Sequence, residues 1–414
     1  MNSATARPDD VRRQNRKAIL LAIRTGGAMS RTDICAASGL SQATVSAIST
    51  DLIAAGILRG AEPESGPRQG RGRPQVLLQH NPTAGLVCSL ALTAGGLAIA
   101  LVDYAGKTLG SRFARLDTLG TSAAGLLDAI AAELRQMIDR HGAADTPLRH
   151  ITIGIQGATD SKLGRILWSP IIRERNVDFR DALSAAFAVP ATIDNDCNLI
   201  AEALHWSSDF PFQDDFAALL LGEGIGMGLY LHGARFHGAQ SSAVELGHML
   251  FQPRGQECRC GALGCIEAYA GEYAIIGAAR PEWREAALRG NPPRDAFAGV
   301  TRAARGGDAA AVDAFRVAGE ALGSGLASLF SITDPLPVAV VGGGAAALDL
   351  IEPAIHALLA TAAVRNFAGD IDIRAFRDER QLVLDGCSMT SLRFLDGDLF
   401  ARSGRPDVIL ENVE

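Results

Sequence analysis

The chain has 414 residues, 48% of them hydrophobic and 5% aromatic, with 45 glycines and a formal charge of −7. That length allows two or three domains with sizeable cores, and the balance of residue types excludes a fibrous or disordered chain. No run of about eighteen uncharged apolar residues reads as a membrane span and the N-terminus lacks a signal-peptide core, so the sequence reads as cytoplasmic.

Charge is spread unevenly. Residues 1–80 hold eleven Lys or Arg against six acids, a balance of +5, while the remainder carries 28 against 40, or −12. A small basic module on an acidic body assigns any polyanionic partner to the N-terminus. Of the seven cysteines, Cys35, Cys88, Cys197 and Cys387 are scattered and read as reduced thiols rather than a disulfide framework.

From residue 11 the pattern is helical: Ile19, Leu20 and Ile23 share one stripe opposite Arg and Lys, and Gly26-Gly27 ends it. Ser30 is placed to cap a short second helix, with Asp33 at the capping-box position and Ile34 and Ala37 facing inward. Gly39 makes a turn, Ser41 caps again, and a third helix is predicted over 42–55. This is the helix-turn-helix spacing. On the third helix Val45, Ile48 and Leu52 form the inward stripe, leaving Ala43, Ser46, Ala47 and Thr50 outward, with Gln42 and Thr44 near its start. Short side chains let a helix sit deep in a major groove, where Gln pairs with adenine and methyl groups meet thymine. Small polar faces also occur on ordinary packing helices, but the next segment favours DNA. It places Arg68, Arg71 and Arg73 among Gly and Pro, ahead of a β-like run at 76–78. That is a wing with cations at its tip, suited to phosphates or a narrow minor groove. Residues 1–80, with the wing and linker at 60–80, are therefore expected to bind double-stranded DNA.

Residues 86–109 alternate like a β-hairpin, with turns at Gly95-Gly96 and at 104–106, and a helix is predicted over 122–140. Strands follow at 151–160 and 189–193, the second ending at Asp194-Asn195-Asp196. Strands with polar C-terminal ends, separated by helices, describe an α/β sheet whose ligand lies at the strand ends. A second set begins at 217–221 with the glycine hairpin GEGIGMGLYLHG. It continues through a long helix at 309–331, capped by Asp308, and a strand at 338–348 running into three glycines. Glycine turns can cradle phosphates through backbone N–H groups, and they also simply make tight turns. Two such strand sets predict two similar lobes around a cleft.

Between the hairpin and the long helix lies ELGHMLFQPRGQECRCGALGCIE, residues 245–267. His248, Cys258, Cys260 and Cys265 supply one imidazole and three sulfurs within eighteen residues, the donor set of a closed tetrahedral zinc site. Without a metal the same residues are three buried thiols and a core histidine; the C-x-C-x4-C spacing with Gly261 and Gly264 favours the metal. Glu245 precedes the His by three residues and Glu267 follows the last Cys by two, so closing the loop brings both acids near the imidazole. If one ring nitrogen binds metal, the other is fixed as a hydrogen-bonding group for a ligand.

SRTDICAASGLSQATVS with the GRGRP wing, DNDCN, GEGIGMG, ELGHM with CRCGALGCIE, and VVGGG together resemble the ROK family, named for repressors, open reading frames and kinases. Within it, the chain is similar to sugar-responsive repressors that fuse a winged helix-turn-helix to a sugar-kinase-like body. The resemblance covers nearly the whole chain and implies an α/β body of the two-lobed actin and hexokinase type. Residues 81–193 would form the first lobe and 194–414 the second, with the C-terminal segment returning to the first. It implies that the zinc is structural, held by His248, Cys258, Cys260 and Cys265. It further implies that Asn195, Asp196, Glu245, His248 and Glu267 bind a sugar effector, with Asp196 where the kinases have their catalytic base. Carboxylates, Asn and a fixed imidazole are the acceptors a neutral polyol needs. A homodimer or homotetramer would place two recognition helices on one operator.

Two departures from the family pattern matter. Kinases of the family open the body with an Asp-x-Gly-Gly-Thr-Lys loop that handles ATP phosphates. The matching stretch here is ALTAGG, with Ala91 for the Asp and Gly95-Gly96 for the Thr-Lys. Phosphoryl transfer depends on positioning and charge compensation, so these losses predict a sensor without catalytic residues, and VVGGG is then a retained turn. Ala243-Val244 stands where the family usually has Ala-Gly, which predicts a narrowed pocket. The runner-up readings are an ATP-dependent sugar kinase carrying a DNA head and a signalling module for a protein partner.

Overall fold

Helix α1 (Pro8–Gly26) follows its apolar stripe: Ile19, Leu20 and Ile23 are fully buried, while of its cations Arg12 and Lys17 face out and the Arg24 side chain is buried. The structure is a computed structural model that describes residues 8–61, 76–143, 145–207, 214–238, 244–361 and 371–403. Arg68, Arg71, Arg73 and Ala243 lie outside the described residues. Helix α2 (Arg31–Ser38) starts on a complete capping box, Ser30 accepting from the Asp33 N–H and the Asp33 carboxylate accepting from the Ser30 N–H. Gly39 closes it with a φ of 70°. Helix α3 (Gln42–Ala54) is capped by Ser41, whose hydroxyl accepts from the Thr44 N–H. Its Val45, Ile48 and Leu52 are buried, and Gln42, Ala43, Ser46, Ala47 and Thr50 are exposed. Strands β1 (Leu58–Ala61) and β2 (Leu77–His80) then pair antiparallel, Leu58 opposite His80, as the stem of a hairpin.

The chain divides into two compact units, residues 1–195 with 384–414, and residues 196–383. In the first, β3 (Leu86–Thr93), β4 (Gly96–Asp103) and β5 (Thr108–Ala114) form an antiparallel meander. Helix α4 (Ala123–His141) supplies the crossover that a parallel neighbour requires, β6 (Leu148–Ile155). A small hairpin, β7 (Ala158–Asp160) with β8 (Arg165–Trp168), and helix α5 (Phe179–Phe187) lead to β9 (Ala191–Asn195), parallel to β6. The sheet order is β5-β4-β3-β6-β9.

The second unit opens with α6 (Asp196–Trp206) and a meander of β10 (Phe216–Leu221), β11 (Ile225–Leu231) and β12 (Ala234–Arg235). Helices α7 (Glu267–Ala270), α8 (Glu272–Ala279), α9 (Arg284–Leu288), α10 (Ala296–Arg305) and α11 (Ala309–Thr333) follow. Strand β13 (Val338–Val341), helix α12 (Leu348–Leu359) and β14 (Ile373–Phe376) complete an order of β12-β11-β10-β13-β14. Each unit thus repeats one plan, a three-strand meander extended by two parallel strands, as the two sets of glycine hairpins implied.

Helix α13 (Glu379–Phe394) begins in the second unit and from Leu384 belongs to the first, where it lies on the sheet through a polar stripe. The Ser388 and Ser89 hydroxyls are 2.8 Å apart, and Cys387 Sγ reaches the Leu90 carbonyl at 3.4 Å. The Ser391 hydroxyl meets His150 Nδ1 at 2.9 Å and the Thr152 hydroxyl at 2.7 Å. These partners sit on β3 and β6, and burial holds His150 neutral by lowering its pKa to about 3.

Beyond α13 a π-helical turn, Leu395–Leu399, and helix α14 (Phe400–Ser403) meet the DNA-head candidate. Arg24 of α1 donates from Nε and Nη2 to the two carboxylate oxygens of Asp396, both at 3.0 Å, with the side chains only 4% and 3% exposed. Arg24 Nη1 also donates to the Tyr104 carbonyl at 2.8 Å, and the Tyr104 hydroxyl donates to Asp396 at 2.6 Å. Burial pushes the Asp396 carboxyl up, but Arg24 outweighs it and holds the pKa below the usual range. Such a pair costs most when one partner alone is removed, because a buried charge is left uncompensated. Asp396→Asn should therefore destabilise the packing of α1 by roughly 3–5 kcal/mol. The paired change Arg24→Met with Asp396→Leu should cost much less than either single change, as read by thermal unfolding and by protection of α1 from trypsin.

Candidate metal centre and ligand site

The 3₁₀ turn Leu246–His248 presents His248 to a loop that doubles back on itself. Leu250 bridges Cys265 and Glu257 bridges Leu263, while the Gly264 N–H donates to the Gln256 carbonyl and the Cys258 N–H to the Ala262 carbonyl. Gly264 has a φ of 87°, and a Cβ there would lie 1.9 Å from the Gln252 carbonyl oxygen, so this turn excludes any other residue. The loop gathers a ring nitrogen of His248 and the sulfurs of Cys258, Cys260 and Cys265 within 4.8 Å of one another. Nδ1 is 3.8 Å from Cys258 Sγ, and the sulfurs of Cys260 and Cys265 are 3.8 Å apart. A tetrahedron of Zn–S bonds near 2.3 Å has edges of about 3.8 Å, so the residues present fit such an ion. Burial pushes the Cys258 and Cys265 thiols up, a shift that a bound cation reverses by stabilising the thiolates. All seven cysteines are free thiols.

With Nδ1 turned to the sulfurs, Nε2 of His248 points away from them and stands 3.9 Å from the Glu245 carboxylate. That separation exceeds a hydrogen bond, and both side chains remain partly exposed. Burial raises the Glu245 pKa, His248 opposes the rise and Glu267 adds to it. Glu267, the first residue of α7, is buried and already engaged: Oε2 accepts from the Ile225 N–H at 3.0 Å, and Oε1 lies 3.5 Å from both the Cys258 sulfur and the Tyr273 hydroxyl. Glu267 thus ties the thiol loop to the start of β11, a role its position in the sequence did not suggest. Val244, just before Glu245, takes a φ of 71°. A β-branched residue is strained there, which explains in physical terms why a glycine is usual at this place.

Asp196 begins α6, its Oδ1 accepting from the Cys197 N–H at 2.8 Å. Burial first, and the Glu379 carboxylate second, push its pKa up to about 7. Glu245 lies near enough to help raise the pKa of Cys197, so these acids of the second unit share one neighbourhood. Asn195 closes β9 in the first unit, its side-chain amide donating to the Gly157 carbonyl at 2.8 Å. Ala91 is a buried residue of β3 between Ala98 and Gly154 and offers no polar side chain. Tyr273 and Glu379, absent from the sequence reading, join these groups from helix starts with no motif to mark them.

A carboxyl whose folded pKa is near 7 rather than 3.8 binds its proton more tightly in the native state. The resulting stability is present below about pH 4 and is lost as the pH rises through 7. Asp196→Asn, uncharged and of the same shape, should therefore be more stable than the parent at pH 8 by on the order of 1–3 kcal/mol. The gap should close by pH 4 in a series of thermal melts.

The sequence profile of the ROK family matches residues 89–383. The chain is 28% identical over 262 residues to the xylose repressor of Caldicellulosiruptor bescii, covering 63% of this chain and 65% of that protein, so the match spans slightly less than two thirds of the relative's length. It is 26% identical over 404 residues to the DNA-binding transcriptional repressor Mlc of Escherichia coli K12, covering 95% and 97% of the two chains. A crystal structure of a ROK family transcriptional regulator, a homologue of the E. coli protein, superposes with a TM-score of 0.79 at 24% identity over 95% of this chain and 98% of that one. With the profile matching well over half its length, the chain belongs to the ROK family.

Proposed function

We propose that the protein is a DNA-binding transcriptional regulator, a repressor, whose ROK body senses a sugar or sugar derivative and does not phosphorylate it. The observation that carries this reading is the exposed face of α3, built from Gln42, Ala43, Ser46, Ala47 and Thr50, on a capped helix-turn-helix joined to a ROK body. Thr44 near the start of α3, and on sequence grounds the cations Arg68, Arg71 and Arg73, complete the proposed DNA-contacting set, the arginines as phosphate partners. The names of the repressors that match most of the chain support it. Asn195, Asp196, Glu245, His248 and Glu267 are the proposed effector residues, and His248, Cys258, Cys260 and Cys265 the proposed ligands of a structural zinc.

The zinc would supply rigidity rather than reactivity. All four donors belong to the protein, which leaves no coordination position for substrate. The His248 Nε2–H can then donate to one hydroxyl of a polyol, and the Glu245 carboxylate can accept from its neighbour. A ligand shifts DNA affinity only by its differential affinity for the two forms, typically about 1–3 kcal/mol. The protein would act in the cytoplasm, where its thiols stay reduced, as a homodimer or homotetramer on a pseudo-palindromic operator. No helix among the described residues is long and apolar enough to cross a membrane.

A second reading, an ATP-dependent sugar kinase with a DNA head, draws on Asp196, since a carboxyl with a pKa of about 7 suits a general base. Ala91 in place of the phosphate-loop acid weighs against it. Gel-shift titration against the DNA flanking the protein's own coding region, with and without a panel of sugars and sugar phosphates, tests the assignment. One sugar should change DNA affinity about tenfold, Glu245→Gln should remove that response without removing DNA binding, and no sugar should cause ADP release from ATP.

A further inference from the structure

Two acids of the second unit, Glu272 and Glu379, stand at the glycine turn after β13, and a third, Glu223, lies close enough to repel both; none of them is in the metal loop or the effector set. Glu223 comes from the turn between β10 and β11, Glu272 is the first residue of α8, and Glu379 is the first residue of α13. A methyl group on Gly343 would lie 2.1 Å from Glu272 Oε1, and one on Gly342 would lie 3.3 Å from Glu379 Oε2. The two carboxylates therefore stand directly over the turn. Their mutual repulsion is felt in protonation: burial, then Glu223 and Glu379, push Glu272 up to about 7 against the pull of Arg259. Burial also raises Glu379, with Glu223 adding and Arg380 opposing. Arg259 is 3.8 Å from Glu223, but its guanidinium also donates to the carbonyls of Ala287 and Leu288 and lies over the Tyr273 ring. With Asp196 included, four acids face two arginines.

A strand that runs into a glycine turn beside helix N-termini is an arrangement that draws phosphate, because free N–H groups and helix dipoles favour an anion. Here the helix starts carry carboxylates of the chain itself, and these already occupy the space over Gly342 and Gly343. We propose that Glu223, Glu272 and Glu379 serve as a built-in anion that excludes nucleotide polyphosphate from this turn. The exclusion deepens the sensor reading and rests on it. It is a second cause of nucleotide rejection besides Ala91, and it limits the effector of the body to ligands without a polyphosphate. An incoming ATP would have to displace two carboxylates while meeting the field of a third, and loss of these charges should relieve the block.

Equilibrium dialysis of full-length protein at pH 8, above the raised pKa of Glu272, against magnesium AMPPNP, an ATP analogue that is not hydrolysed, tests the exclusion directly. The parent should take up no nucleotide at about 1 mM, and E223Q/E272Q/E379Q should bind at least about tenfold more tightly, with E272Q intermediate. Glutamine keeps the shape of glutamate; should the triple variant fail to fold, E272Q carries the same test, since Glu272 alone covers Gly343. Micromolar binding by the parent, or folded variants that bind no better than the parent, would overturn the exclusion. Sugar-dependent ADP release by the parent would instead overturn the sensor reading, which a silent triple variant leaves standing.

Discussion

The proposed effector site depends on a division of labour within one imidazole. His248 turns Nδ1 toward three sulfurs and leaves Nε2 beside Glu245, and a ring committed on one side cannot reorient on the other. The loop that makes this possible is held by its own backbone and by Glu267, which reaches from α7 to the Ile225 N–H and lies against the Cys258 thiol. A cation in the sulfur cluster would therefore do two things at once. It would stabilise thiolates that burial alone disfavours, and it would fix the Nε2–H donor of the histidine toward the ligand.

A different logic joins the helix-turn-helix to the rest of its unit. The Arg24–Asp396 pair is nearly solvent-free, and both charges are satisfied by further contacts with Tyr104. The net stability of such a pair is modest, because desolvation offsets attraction, but only one arrangement satisfies it. The polar stripe of α13 has the same character: Ser388 and Ser391 find partners on β3 and β6 in one register only. The family profile matches residues 89–383, so the helix-turn-helix and the C-terminal segment both lie outside that profile, and they contact one another. A regulator gains from such matching when the position of its DNA reader must be definite.

Much of this was legible in the sequence where a local rule applies. The Ser30 and Asp33 capping box, the buried stripe of Val45, Ile48 and Leu52, and the gathering of His248 with three cysteines each depend on residues within one short stretch. The repeated sheet plan showed through the glycine hairpins, which mark turns wherever they fall. The family resemblance implied that the C-terminal segment returns to the first lobe, but its contacts were hidden: α13 buries Cys387 and Ser391 among Val383, Leu384 and Leu392, and Asp396 meets an arginine 372 residues away. Glu272 and Glu379 were hidden for a related reason: an acid at a helix start is ordinarily a dipole partner, and only the folded chain sets two of them over one turn. Glu267 was noticed as an acid near the histidine, but its backbone partner on β11 could not be foreseen from spacing.

The account stands on a metal that shapes a polyol site without taking part in chemistry. Calorimetric titration of neutral monosaccharides into the purified protein, before and after treatment with a chelator and again after zinc is restored, examines that link directly. One bound zinc per chain is predicted, with a saturable heat for at least one sugar that weakens about tenfold or more on chelation and returns with zinc. Sugar affinity that is unchanged by removal of the metal would contradict the account.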